Sequence, residues 1–204
     1  MKITVIGTGN VGSALAKGWA KAGHNVILGV RDTHNFKGKD LTSQKNISVQ
    51  TIAEAARQAE VILVATPPDA VNELAKALGD VSGKVIIDAT NSVRITPAGY
   101  ANASEAFRSL TNCTDVVKCF NSTGFENMEN PVYNGKGIDM FVAGDGAKGK
   151  QVAKQLAKDI GFEECYDFGG NDKIALLEQF ALAWINLAIM QKQGRGIAFK
   201  ILKR

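Results

Sequence analysis

The chain is short of the residues that many enzyme classes depend on. Cysteine occurs three times in 204 residues, as Cys113, Cys119 and Cys165, with no C-x-x-C spacing. An odd count without that spacing argues against a disulfide framework and against a zinc site, and it fits reduced thiols in a cytoplasmic protein. Histidine occurs only as His24 and His34. That leaves little material for a metal cluster or a Ser–His–Asp triad, and no metal is expected. The charge excess is only +4, and no basic block is longer than Lys203-Arg204. Such a balance suits anionic small molecules and argues against a nucleic-acid partner. The most apolar stretch, Ile174 to Met190, is interrupted by Glu178, Gln179 and Asn186. It falls short of the roughly 20 apolar residues that span a bilayer. A buried or interface helix is expected there, with no membrane partner. Met1 leads straight into a strand pattern with no basic n-region and no cleavage signal, so no secretory peptide is expected.

What is present is a regular alternation of strand and helix patterns. Lys2 to Ile6 is a β-branched run of the kind buried parallel strands show. A glycine-rich turn and an Ala-rich helix, Ser13 to Ala22, follow, then a second strand, Asn25 to Val30. Further strands are expected at 47–49, 61–65, 84–88, 115–120, 139–143 and 163–168. Helices are expected at 51–59, 70–78, 98–110, 147–160 and 173–191, with Asn121 to Gly137 a loose, ligand-facing loop. This order predicts an α/β fold: a Rossmann-type, doubly wound, mainly parallel sheet with a C-terminal helical extension. Residues 1–204 read as one domain, with a sheet core over 1–170 and a closing helix and tail over 171–204.

The opening turn carries the chemistry. Gly7-Thr8-Gly9-Asn10-Val11-Gly12 is a G-x-G-x-x-G sequence with a strand before it, a helix through it and a strand after it. Gly7 can make the tight turn, Gly9 lets a pyrophosphate approach the backbone, and Gly12 lets helix and strand pack closely. The free N–H groups near Asn10 and Val11 then face the phosphates. An NAD site usually places a carboxylate at the tip of the second strand. Here the tip is Val30, followed by Arg31, whose guanidinium suits a 2′-phosphate. Lys37 and Lys39 add positive potential, whereas Asp32 could instead reach a ribose. The expected cofactor is NADP.

Taken together, G-T-G-N-V-G-S-A-L-A (7–16), G-H-N-V-I-L-G-V-R (23–31), V-I-I-D-A-T-N (85–91), V-V-K-C-F-N-S-T-G (116–124) and G-R-G-I-A-F-K-I-L (194–202) resemble the coenzyme F420-dependent NADP oxidoreductase family. Related Rossmann domains form the ferric reductase part of the STEAP proteins. The resemblance covers essentially the whole chain. It implies an NADPH-binding oxidoreductase, commonly a homodimer, that passes hydride between nicotinamide and a flavin-like or deazaflavin partner. By position it implies that Thr8 and Arg31 contact the adenosine phosphate. It further implies that Thr66, Pro67 and Asn91 border the cofactor, and that Asn121 to Gly124 lie near the nicotinamide. Deazaflavin-using members tend to carry serine before the arginine, where this chain has Val30, so one phosphate donor is missing.

No general acid stands out, and ring-to-ring hydride transfer can proceed by placement and exclusion of water. Candidates near the nicotinamide are Lys118, Asn121, Ser122 and Thr123. Lys118 is either a group facing a carbonyl or an anionic substrate, or a surface lysine on an edge strand. His24 reads as structural, His34 as solvated, and Cys113 and Cys119 as inert. The final helix is apolar on nearly every side, which predicts packing against a second copy, with Arg195 and Lys200 reaching an anionic substrate. The leading reading is an NADPH-dependent oxidoreductase acting on a small-molecule hydride acceptor. The alternative is a catalytically idle NADP(H)-binding redox sensor.

Overall fold

A computed structural model describes residues 1–204. The elements run β1 (Lys2–Ile6), α1 (Asn10–Lys21), β2 (Asn25–Val30), β3 (Ile47–Thr51), α2 (Ile52–Gln58), β4 (Val61–Val64) and α3 (Val71–Ala77). They continue with β5 (Val85–Asp88), α4 (Ala103–Leu110), β6 (Asp115–Cys119), α5 (Phe125–Glu129), β7 (Val132–Tyr133) and β8 (Lys136–Gly137). β9 (Asp139–Ala143), α6 (Ala147–Asp159), β10 (Glu164–Gly169) and α7 (Ile174–Ile185) complete the chain.

One sheet of eight strands has the order β10-β9-β6-β5-β4-β1-β2-β3. β3 to β6 are parallel in the doubly wound order, and β9 alone pairs antiparallel to its neighbour β6. Because the central strands are covered on both faces, their residues alternate between two cores. Leu63 joins Leu15 and Trp19 of α1 and Leu156 of α6 on one face. Ile62 and Val64 join Leu74 of α3 and Phe107 of α4 on the other. The chain reverses its direction of travel across the sheet between β1 and β4, the switch point at which open α/β sheets bind ligands at their carboxyl ends.

Three local expectations are corrected. The fourth helix starts at Ala103, not at residue 98, because Gly99 takes a left-handed φ of +84° and Asn102 accepts the Glu105 backbone N–H at 2.9 Å as a cap. The stretch from Asn121 to Gly137 is not loose. It holds α5 and the β7–β8 hairpin, and Asn121, Ser122, Thr123 and Asn127 are buried. The final helix runs close to its expected bounds: a 3-10 turn, α7 and a π-helical turn follow without a break from Asn171 to Met190. That helix is not buried all round. Ile174, Leu177, Glu178, Ala181 and Trp184 face inward, while Leu176, Leu187, Ile189 and Met190 are exposed, because the sheet covers one side only.

Candidate active site at the carboxyl edge of the sheet

β1 delivers the chain to Gly7, whose φ of +96° suits glycine and few other residues. A Cβ there would sit 2.5 Å from the Ala65 carbonyl oxygen, and one on Gly12 would sit 1.9 Å from the Gly7 oxygen. Both positions are therefore closed to any side chain. Gly9 is the opposite case: a Cβ there would meet nothing within 4 Å. The space in front of Gly9 is open, and α1 begins behind it with no side-chain cap and no acidic residue in its first turn. The first helical bond runs from Ser13 N to Gly9 O at 2.9 Å, so the N–H groups of Asn10, Val11 and Gly12 precede the helical ladder. This cradle fits a diphosphate.

Thr8 is buried beside the turn, and its carbonyl accepts from Ser13 Oγ at 3.1 Å. Arg31 is exposed at the tip of β2 and takes part in no ion pair. Asp32, the one carboxylate that could turn toward a ribose, is bound to its own loop. It accepts the His34 backbone N–H at 2.8 Å, which holds its carboxyl below the usual range, and the Asn35 N–H at 3.3 Å. Lys39 donates to the His34 carbonyl at 3.0 Å, and Lys37 and His34 are exposed.

At the ends of β4, β5 and β6 the side chains are polar and short of partners. Thr66 Oγ1, Thr90 Oγ1, Ser92 Oγ and Asn121 Oδ1 are buried atoms with no hydrogen-bond partner in the protein; the fifth such atom belongs to Asn72 in α3. An unsatisfied buried polar atom costs about 1–3 kcal/mol. Four at one sheet edge mark a surface built to bind something polar. Pro67 follows Thr66 and leads into the 3-10 turn before α3. Asn91 and Asn121 are brought together and bond each other. Phe120, with a φ of +61°, bends the chain just ahead of Asn121. A bulky residue in that region is strained; Phe120 is held there edge-on to Trp19, with ring centroids 5.5 Å apart.

Lys118 differs from both expectations. It lies within the sheet between β5 and β9, fully buried, and faces neither solvent nor an open cleft. Its Nζ lies 2.7 Å from Asp88 Oδ2 and 2.7 Å from Glu178 Oε1. An ammonium in the interior needs such partners. Ser122 and Thr123 are committed to the protein as well: Ser122 Oγ approaches Met140 Sδ at 3.5 Å, and Thr123 Oγ1 accepts from Asn127 Nδ2 at 2.7 Å. Asn121 is therefore the one residue of that trio with a free polar atom. Asp88, Glu178, Thr90 and Ser92 were missed in the sequence. The signals that could have found them were the polar tail of V-I-I-D-A-T-N-S and a lone glutamate inside the apolar final helix.

The remaining candidates sit elsewhere. His24 bridges the N-terminal amine at 3.1 Å and Asp159 at 2.9 Å, away from this edge. Cys113 and Cys119 are buried, and burial raises both thiols, Cys119 well above its usual range. Neither is an activated thiolate. Arg195 and Lys200 do not reach out as expected. Arg195 pairs with Glu126 over the Phe125 and Trp184 rings, and Lys200 pairs with Asp139 and Glu163. A hollow of about 290 Å³ lined by Met1, Glu60, Lys84 and Lys148 lies at the opposite, amino edge of the sheet. Its Lys84 is already spent on the Arg57 and Ala59 carbonyls.

Comparison with known proteins places the chain in a family. The model of the family "NADP oxidoreductase coenzyme F420-dependent" matches residues 2–92. The F420-dependent NADP reductase of Methanothermobacter thermautotrophicus is 32% identical over 215 residues, covering 94% of this chain and 91% of its own. Its counterpart in Methanothermobacter marburgensis is 31% identical, covering 94% of each. The crystal structure of a putative F420-dependent NADP-reductase from Arthrobacter sp. FB24 superposes with a TM-score of 0.85 at 26% identity, over the full length of both chains. With relatives this similar over nearly their whole length, the chain belongs to the coenzyme F420-dependent NADP oxidoreductase family.

Proposed function

We propose that the protein is an NADP-dependent oxidoreductase that transfers hydride between NADP(H) and a flat, ring-bearing acceptor of the flavin or deazaflavin kind. The cofactor lies along the carboxyl edge. The adenosine end meets Thr8 and Arg31, the diphosphate the amides of Gly7 to Gly12, and the nicotinamide end Thr66, Pro67, Asn91 and Asn121. When bound, NADP(H) supplies or takes up the hydride. The protein binds, orients and excludes water. Thr90 and Ser92 hydroxyls and Asn121 Oδ1 provide both donor and acceptor capacity, which is what a carboxamide requires.

The observation that carries this reading is the group of buried, unpartnered polar atoms at the ends of β4, β5 and β6, in line with the open cradle at Gly9. The two buried carboxylates near it are both bound to Lys118, so neither is free to act as a general acid on a carbonyl. That favours an acceptor that takes hydride on a ring. The test is oxidation of NADPH, followed by loss of its near-ultraviolet absorbance, with deazaflavins, flavins, quinones, ferric chelates and small carbonyls. Turnover with flavins or deazaflavins supports the reading. Turnover with carbonyls alone contradicts it, and tight binding with no turnover on any acceptor returns the protein to the redox-sensor class.

The sheet and the final helix act as one domain. The exposed Leu176, Leu187, Ile189 and Met190 support a homodimer that covers them; sedimentation as a monomer at micromolar concentration contradicts it. Three free, buried thiols are in keeping with a reducing, cytoplasmic setting.

A further inference from the structure

Behind the nicotinamide end lies a closed group of charges that hydride transfer, as described above, does not use. Asp88 ends β5, Lys118 lies on β6 and Glu178 on α7. The lysine and the aspartate are fully buried, and Glu178 is 4% exposed. Asp88 also accepts from Ser104 Oγ at 2.6 Å and from the Thr90 backbone N–H at 2.9 Å, and Glu178 from the Ser92 N–H at 3.1 Å. The two carboxylates are thus bonded directly to the backbone of Thr90 and Ser92, the residues whose hydroxyls lack partners. Two carboxylates against one ammonium leave one negative charge in excess, held in a dry interior where counter-ions screen it least.

We propose that the excess negative charge of the Asp88–Lys118–Glu178 triad tunes the bound cofactor, favouring the cationic oxidised nicotinamide over the neutral reduced one and so strengthening the hydride donor. The inference rests on the placement of the nicotinamide given under Proposed function. The triad residues are positioning residues, since they act through the 89–92 segment and through space. A unit charge at a separation of roughly 10 Å and an effective dielectric of about 20 changes the ratio of the two affinities by about tenfold. A merely structural clamp would change both affinities together.

The test is calorimetric measurement of the dissociation constants for NADP⁺ and NADPH on the full chain. Glu178→Gln keeps the shape and an acceptor for Ser92 N but removes one negative charge. It is expected to weaken NADP⁺ relative to NADPH by about tenfold. Glu178→Asp perturbs the geometry of the clamp but keeps its charge, and its ratio is expected to stay at the wild-type value. If Glu178→Gln does not fold, Asp88→Asn makes the same charge change and is read the same way. An unchanged ratio in the singly neutralised protein, or an equal change in Glu178→Asp, overturns the inference while leaving the site intact. A wild-type protein that binds neither nucleotide overturns the site assignment itself.

Discussion

Asn91 and Asn121 hold each other twice across the carboxyl ends of β5 and β6. Asn91 Nδ2 donates to the Asn121 backbone carbonyl at 3.2 Å, and Asn121 Nδ2 donates to Asn91 Oδ1 at 3.0 Å. The pairing spends the donors and leaves Asn121 Oδ1 buried without a partner. Asn121→Ala removes the second of these bonds and the one from Asn121 Nδ2 to the Leu177 carbonyl at 3.4 Å, and leaves Asn91 Oδ1 without its donor. We expect a stability loss of about 1–3 kcal/mol together with weaker NADPH binding. Thermal unfolding and calorimetry on the same sample measure both; a fall in stability with cofactor affinity untouched would take Asn121 out of the site.

Gly9 separates binding from folding. Because its missing Cβ faces open space, Gly9→Ala is expected to fold with an unchanged melting temperature. The added methyl lies where the diphosphate must approach, so NADPH affinity is expected to fall about tenfold or more, a loss of roughly 1.4 kcal/mol or greater. Gly12→Ala provides the contrast. Its Cβ would overlap the Gly7 carbonyl, so stability falls along with affinity.

Much of this was legible before the fold was known, and the reasons are physical. Buried parallel strands are apolar runs, so β1, β2, β4, β5 and β9 could be placed from composition alone. The glycine turn could be read because two of its positions admit no side chain, and such constraints leave a mark in sequence. The Lys118 triad could not be read. Its members come from β5, β6 and α7, and nothing local to Lys118 shows that Glu178, 60 positions further along, will meet its ammonium. Ser122 and Thr123 misled for the same reason: a hydroxyl after a strand looks alike in sequence whether it faces a ligand or, as here, Met140 and Asn127. The 121–137 segment reads as a loop because it is rich in Asn and Gly, whereas Asn127 is a buried hub that donates to the Ile197 carbonyl at 2.8 Å and so ties the tail to α5.

Part of the acid sensitivity can be traced to the loop around Asp80. The Ser82 backbone N–H, then the Asn112 side chain, hold the Asp80 carboxyl down from the usual 3.8 to about 2. A carboxyl that binds protons more weakly folded than unfolded stabilises the fold above its unfolded value, and the contribution disappears as pH falls through the folded one. Asp80→Asn is therefore expected to melt below wild type near neutral pH, with the gap closing as pH approaches about 2. Parallel melting curves across that range check this; a gap independent of pH would show that the carboxylate is not its source.

The cysteines give a simple control on the redox reading. All three are buried, and burial raises the thiols of Cys113 and Cys119. The native protein is expected to react slowly with a chromogenic disulfide reagent and to titrate three thiols once unfolded. Fast modification of one native thiol, with loss of NADPH oxidation, would give cysteine a role that hydride transfer leaves out.

The most direct measurement is the affinity of Arg31→Ala for NADPH and for NADH, by calorimetry side by side with wild type. A charged hydrogen bond to the 2′-phosphate is worth about 1.5–3 kcal/mol, so NADPH binding should weaken about 10- to 150-fold while NADH binding stays nearly the same. Equal losses for both nucleotides, or no loss for either, would contradict a cofactor lying with its adenosine end at the tip of β2.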